Sequence, residues 1–147
     1  MKLFLILSLA LAGVVLAHSE LESSTPADGE TLQAAPTEVV LNFSEGVETR
    51  FSTFKVYPLG AEIDERAANA GARLNGLAGQ LVSEVLEAQD DEAARADTAL
   101  QTDKSTAETV TLPLKPGLGA GIYVVMWRIL SEDSHTSQGF ITFRVAP

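Results

Sequence analysis

The sequence predicts an all-β domain, a sandwich or barrel of short antiparallel strands that is interrupted once by helix. Three observations carry this. Apolar and polar residues alternate in several short stretches, Pro and Gly punctuate the gaps between them, and one Ala- and Leu-rich segment, about residues 60–108, switches to apolar spacings of three and four.

Taken in order, residues 2–17 (KLFLILSLALAGVVLA) carry one basic residue and then an apolar run, with small residues at the last and third-last positions, Val15 and Ala17. This is the pattern of a cleaved export signal, residues 1–17, and it makes His18 the first mature residue. A membrane span needs about 20 apolar residues, and the run from Leu3 to Ala17 has fifteen, with Ser8 and Gly13 among them. A rival cleavage motif, Ala10-Leu11-Ala12, would leave a short stub before His18. The domain then occupies residues 18–147.

Six strands are expected in it. Glu20–Ser24 is the first. Val39, Leu41 and Phe43 alternate with Val40 and Asn42 in the second, and Phe51–Tyr57 forms the third. Val110–Leu114 is the fourth, marked by Pro113 as an edge or a strand end. Ile122–Leu130 (IYVVMWRIL) is apolar on both faces apart from Arg128, which predicts a central strand with Trp127 in the core. Phe140–Val145 completes a hairpin with it. Between the third and fourth strands, Leu74, Leu77, Leu81, Val85 and Leu86 lie on one face of a helix. That stripe is read as packing on the sandwich or as docking a partner. Residues 87–108, with Asp90, Asp91, Glu92 and Asp97, have little to bury, so disorder stands there as a third alternative, and Asp90, Asp91 and Glu92 are read as solvating a helix end. Arg128 is read as a plain surface salt bridge, with pairing to Asp133 or Glu132 as the alternative.

The balance of charge narrows the function. Ten Lys and Arg against twenty Asp and Glu give a net charge of −10, which excludes a nucleic-acid partner held through phosphates and suits a cation. With no cysteine, a metal could be held only by nitrogen and oxygen donors. There are two histidines. An N-terminal His18 would offer its amine and its imidazole Nδ1 to one ion as a six-membered chelate. Asp133 and His135, two apart, point the same way in an extended backbone and would add a carboxylate oxygen and an imidazole nitrogen. Three nitrogens and one oxygen in a square plane favour Cu(II). Glu45 is either an axial or supporting carboxylate or a solvated turn residue.

These residues resemble the periplasmic copper-binding CopC family. His18-Ser19-Glu20-Leu21 and Ser23–Gly29 resemble its opening strand and Ser-Thr-Pro turn. Leu41–Val47 (LNFSEGV) with Phe51 and Ser52 is similar to its next signature, and Tyr123–Ser131 with Asp133, His135, Gly139 and Phe140–Val145 to its closing hairpin. The resemblance implies an Ig-like Greek-key β-sandwich in the periplasm, with His18, Asp133 and His135 binding one Cu(II) per chain. It implies a copper carrier or buffer in homeostasis or resistance that delivers to a membrane copper importer, and no catalysis. Two departures stand out. Some members carry a Met-rich Cu(I) site, whereas Met1 and Met126 are the only methionines here, and the helical insertion is long. Two other readings remain: a copper oxidoreductase using the N-terminal histidine, which a carboxylate ligand disfavours, and an Ig-like interaction module without metal.

Overall fold

In the computed structural model, residues 19–147 are described; the leader and His18 lie outside the described residues. Seven strands form two sheets. One holds β1 (Leu21–Thr25), β3 (Glu38–Glu48) and β5 (Thr106–Pro113) in the order β1-β3-β5. The other holds β2 (Glu30–Leu32), β4 (Thr53–Pro58), β6 (Gly121–Leu130) and β7 (Thr136–Val145) in the order β2-β7-β6-β4. The alternation expected at residues 39–43 does its work here, since Val39, Leu41 and Phe43 on β3 face Tyr123, Val125, Trp127 and Ile129 on β6 across one core. Pro113 is the last residue of an edge strand, as its missing N–H requires.

One strand more than expected is present. β2 is three residues long, too short for periodicity to register, and it runs parallel to β7, so the sandwich is not purely antiparallel. Its place is set by main-chain bonds around it, Gly29 N to Thr142 O at 2.7 Å and Ala146 N to Leu32 O at 2.8 Å. Phe51, expected in a strand, instead sits in a 3₁₀ turn, Thr49–Phe51, and is 73% exposed.

A single helix, α1 (Ala70–Val85), fills the first half of the insertion. Its stripe packs on the outer face of the four-stranded sheet. Ala78, Val82 and Leu86 are buried against Tyr57, Val124 and Met126, with Leu81, Val85 and Phe140 at the margin. The strand periodicity of β6 thus serves two cores, its odd residues the sandwich and Val124 and Met126 the helix.

The second half of the insertion is built around buried charge, so the alternative of disorder for residues 87–108 does not hold and the Asp91 carboxylate is not left to solvent. Lys55, 4% exposed on β4, donates its Nζ to the carbonyls of Val85 and Ala88, both at 2.8 Å, and to Asp91 Oδ2 at 2.5 Å. It therefore caps the end of α1, whose last carbonyls lack helical partners. Tyr57 Oη donates to the same carboxylate oxygen at 2.6 Å, and burial followed by the Asp91 hydrogen bond pushes the phenol pKa up. Burial alone would raise the Asp91 carboxyl. The Lys55 and Tyr57 hydrogen bonds and the Lys55 and Arg95 charges outweigh it and hold the carboxyl below its ordinary value. Asp91 is thus a packed ion-pair member and not a solvated one.

β4 ends its sheet, so its outward main-chain groups need cover. They receive it from residues 95–97: Arg95 Nη2 donates to Phe54 O at 3.0 Å, Asp97 Oδ1 accepts from Val56 N at 2.8 Å, and Ala96 N donates to Val56 O at 2.7 Å. The same stretch reaches the other sheet. Thr98 N donates to Pro113 O at 2.9 Å, and Asp97 and Leu114 form an isolated bridge. Asp97, its side chain fully buried and paired with Arg95, is the centre of this staple. Asp97→Ala would take the nearer carboxylate from the Arg95 guanidinium, leaving it Phe54 O and the more distant Asp91, and would strand two main-chain donors, Val56 N and Ala99 N. The expected cost is about 3–5 kcal/mol in urea unfolding, with self-association through the opened β4 edge at higher concentration. A loss below about 1 kcal/mol, the value of an exposed ion pair, would refute the staple.

Candidate metal centre

The expected ligands Asp133 and His135 lie in the connection between β6 and β7. The extended backbone assumed for them is not what brings them together. Residues 131–135 form a tight turn, closed by Ser131 N donating to His135 O and Ser134 N to Ser131 O, both at 2.9 Å. Ser134 sits in the left-handed region at φ 70°, a conformation that costs an L-residue about 1–2 kcal/mol. The turn is fastened to the other sheet by a bridge between Ser131 and Val47 and by Glu132 N donating to Gly46 O at 3.1 Å. Space is tight at that crossing: a Cβ on Gly46 would lie 2.3 Å from Glu132 Oε2 and 2.8 Å from Thr106 Cγ2, so a larger residue would have to displace both side chains.

Within the turn the Asp133 carboxylate has two distinct edges. Oδ1 accepts from Ser131 Oγ at 2.5 Å and from His135 N at 3.1 Å. Oδ2 lies 2.9 Å from His135 Nδ1. The Ser131 hydroxyl and then the His135 amide hold the carboxyl down to about 2, so it is anionic wherever an imidazole is free to bind metal. Bonds of about 2 Å to nitrogen and oxygen set neighbouring donors of a square-planar ion about 2.8 Å apart by geometry. The Oδ2 to Nδ1 separation fits that edge. Both side chains are partly exposed, at 36% and 43%, although the His135 Nδ1 atom itself is buried against its surroundings.

The chain next to His18 is held beside this pair. Ser19 is 2% exposed; its Oγ donates to Glu45 O at 3.2 Å, and its own carbonyl accepts from Ser137 Oγ at 3.1 Å. Glu20 and Ser44 exchange a further pair, Glu20 N to Ser44 Oγ at 3.0 Å and Ser44 N to Glu20 O at 2.9 Å. Glu45 and Ser137 adjoin Gly46 and His135, so Ser19 and the turn rest on neighbouring residues of the same two strands. Glu45 participates in this arrangement through its main chain. Among the described residues no group of three or more His, Asp and Glu side chains is placed to hold a metal, and Asp133 and His135 are a two-donor edge.

Other expected roles resolve more simply. Trp127 is core, 7% exposed, edge-on to Phe43 with ring centres 6.0 Å apart and lying over Gly139. Arg128 pairs with Glu87 at 2.6 Å rather than with Glu132 or Asp133, tying β6 to the segment after α1. Met126 is fully buried beneath α1. Sequence reasoning missed Ser19, Ser131 and Ser137. The Ser at position 131, two before the Asp, is the turn-forming pattern that would have exposed the first of the loop contacts.

Known proteins resemble this chain along most of its length. The CopC domain profile covers residues 21–82 and 75–146, two stretches that overlap inside α1. Copper resistance protein C from Pseudomonas syringae pv. tomato is 32% identical over 129 residues, 88% of this chain and 81% of that protein. Copper resistance protein C from Escherichia coli is 31% identical over 139 residues, 95% and 90% of the two chains. Protein YobA of Escherichia coli K12 is 32% identical over 131 residues, 89% and 81%. Among solved structures, PcoC, a methionine-rich copper resistance protein from Escherichia coli, superposes with a TM-score of 0.56 at 26% identity over 88% of this chain and 99% of its own. CopC from Methylosinus trichosporium OB3b, at 23% identity, shares the fold with a TM-score of 0.58 over 88% and 95%. With the profile spanning nearly all of the described chain and relatives above 30% identity along most of their length, this protein belongs to the CopC family.

Proposed function

We propose that the exported chain, cleaved after Ala17, binds one Cu(II) through the His18 amine and imidazole, the Asp133 carboxylate and the His135 imidazole, and serves as a periplasmic copper carrier or buffer in copper resistance or homeostasis. The observation that carries this reading is the 2.9 Å Asp133–His135 edge; Ser19, which follows His18 in the chain, is held by Glu45 of β3 and by Ser137 of β7, the strand the turn leads into. The names of the copper resistance relatives support the metal. Delivery to a membrane importer is the role this implies for a protein that holds copper at a partly exposed site. Copper is cargo here and not a catalytic group. The carboxylate favours the dication over Cu(I), and the one methionine among the described residues is sealed under α1, away from any ion.

Titrated with Cu(II), the mature protein is expected to bind one equivalent and give a tetragonal spectrum with nitrogen hyperfine structure. His18→Ala and His135→Ala should each weaken binding by at least about 100-fold, the upper end of what supporting residues contribute. Unchanged affinity in both would refute the site. Binding displaces protons from an amine and an imidazole with ordinary pKa values of about 7.7–8.0 and 6.5. Affinity should therefore fall steeply as pH drops from about 8 to 5. Asp133, already ionised, adds nothing to that slope. An intact mass retaining residues 13–17 would remove the chelate from consideration.

The redox preference separates carrier from enzyme. Ascorbate should loosen the metal so that a Cu(I) chelator withdraws it, and Asp133→Asn should raise the copper reduction potential with the fold retained. Firm retention of Cu(I) with sustained oxygen consumption under ascorbate would make the protein an oxidoreductase instead.

A further inference from the structure

Asp133 and His135 are both partly open to water, so their own packing does not fix how the carboxylate is turned. What lies beneath them does. Ser131 is 2% exposed, held between the end of β6 and Val47 of β3, with its Oγ 2.5 Å from Asp133 Oδ1 and 2.9 Å from His135 O. A serine hydroxyl has one hydrogen to give to these two acceptors. His135 O already receives the Ser131 amide, whereas Asp133 Oδ1 is charged and nearer, so the hydrogen goes to the carboxylate. The other donor on Oδ1, His135 N at 3.1 Å, is longer. Without the hydroxyl, Oδ1 would keep only the longer His135 N contact, and the carboxylate would be held less firmly in the orientation that sets Oδ2 beside the imidazole.

We propose that Ser131 is a positioning residue for copper: its buried hydroxyl anchors Asp133 Oδ1 and so presents Oδ2 at binding distance beside His135 before the metal arrives. This deepens the copper reading and rests on it. A hydrogen-bond partner that orients a ligating carboxylate contributes about 10–100-fold to metal affinity. Ser131 touches no metal itself; it acts through the orientation of its neighbour.

The test uses the full exported chain with Cu(II) alone, read by competition with a chelator of known affinity and by electron paramagnetic resonance. Ser131→Ala keeps the three main-chain bonds of the turn and removes only the hydroxyl. Affinity is expected to fall about ten-fold or more, with shifted copper g and hyperfine values, because the oxygen donor is displaced. A variant that merely loosened the fold would bind less but keep the wild-type spectrum, and that result overturns the proposal, as does wild-type affinity. Should Ser131→Ala fail to fold, Ser131→Gly, which also lacks the hydroxyl and adds no new metal ligand, carries the same expectations and the same refutation. Asp133→Asn and His135→Ala measured alongside separate the two claims. If neither alters wild-type binding, the copper site itself is wrong; if both do and the Ser131 variant does not, only the positioning role falls.

Discussion

β6 has almost no solvent face, and the rest of the molecule is arranged around that constraint. Tyr123, Val125, Trp127 and Ile129 need a second sheet on one side, while Val124 and Met126 need cover on the other. An ordinary two-sheet sandwich would satisfy only the first set. The helix α1 satisfies the second, and the insertion is therefore a third layer of the fold and not an appendage. The same strand ends at Leu130, so the element buried most deeply runs directly into the turn that carries Asp133 and His135.

Adding a layer on the outside of a sheet brings charge inside. Lys55 stands on β4 where a strand facing a helix would ordinarily place an apolar side chain, and it is tolerated because the end of α1 and Asp91 surround it with acceptors. Asp97 does the corresponding work at the open edge of β4, replacing a missing neighbouring strand with one carboxylate and one main-chain bond. A buried pair of this kind is costly to break and of little net benefit against apolar alternatives. Its value is in specificity: it fixes where residues 86–99 cross between the sheets.

The turn at residues 131–135 is held in a different way. Its contacts to β3, at Val47 and Gly46, are main-chain, and the side chains that face solvent are held by one that does not, Ser131. Ser19 is held by the same two strands. Such a scaffold presents donors at a spacing set by strand geometry, which suits a protein that must hold an ion without enclosing it.

Several of these features were legible in the order of residues. The alternation at Val39–Phe43, the two-faced run at Ile122–Leu130, the helical stripe and Pro113 each report a local period or a missing donor, and local periods survive into any fold that buries one face. The candidate ligands were legible as well, because two histidines and no cysteine leave few choices. What only the tertiary structure decided concerns partners far apart in the chain. Asp91 and Asp97 read as solvated charge because their counter-ions and acceptor needs lie elsewhere, on Lys55 and at the edge of β4. β2 is too short to carry a period and exists only because β7 lies beside it. Asp133 and His135 meet through a turn anchored on Gly46, not through the extended backbone that their spacing suggested. Periodicity is a property of a segment, whereas charge compensation, edge cover and turn anchoring are properties of pairs, and a pair is defined only once the chain has folded.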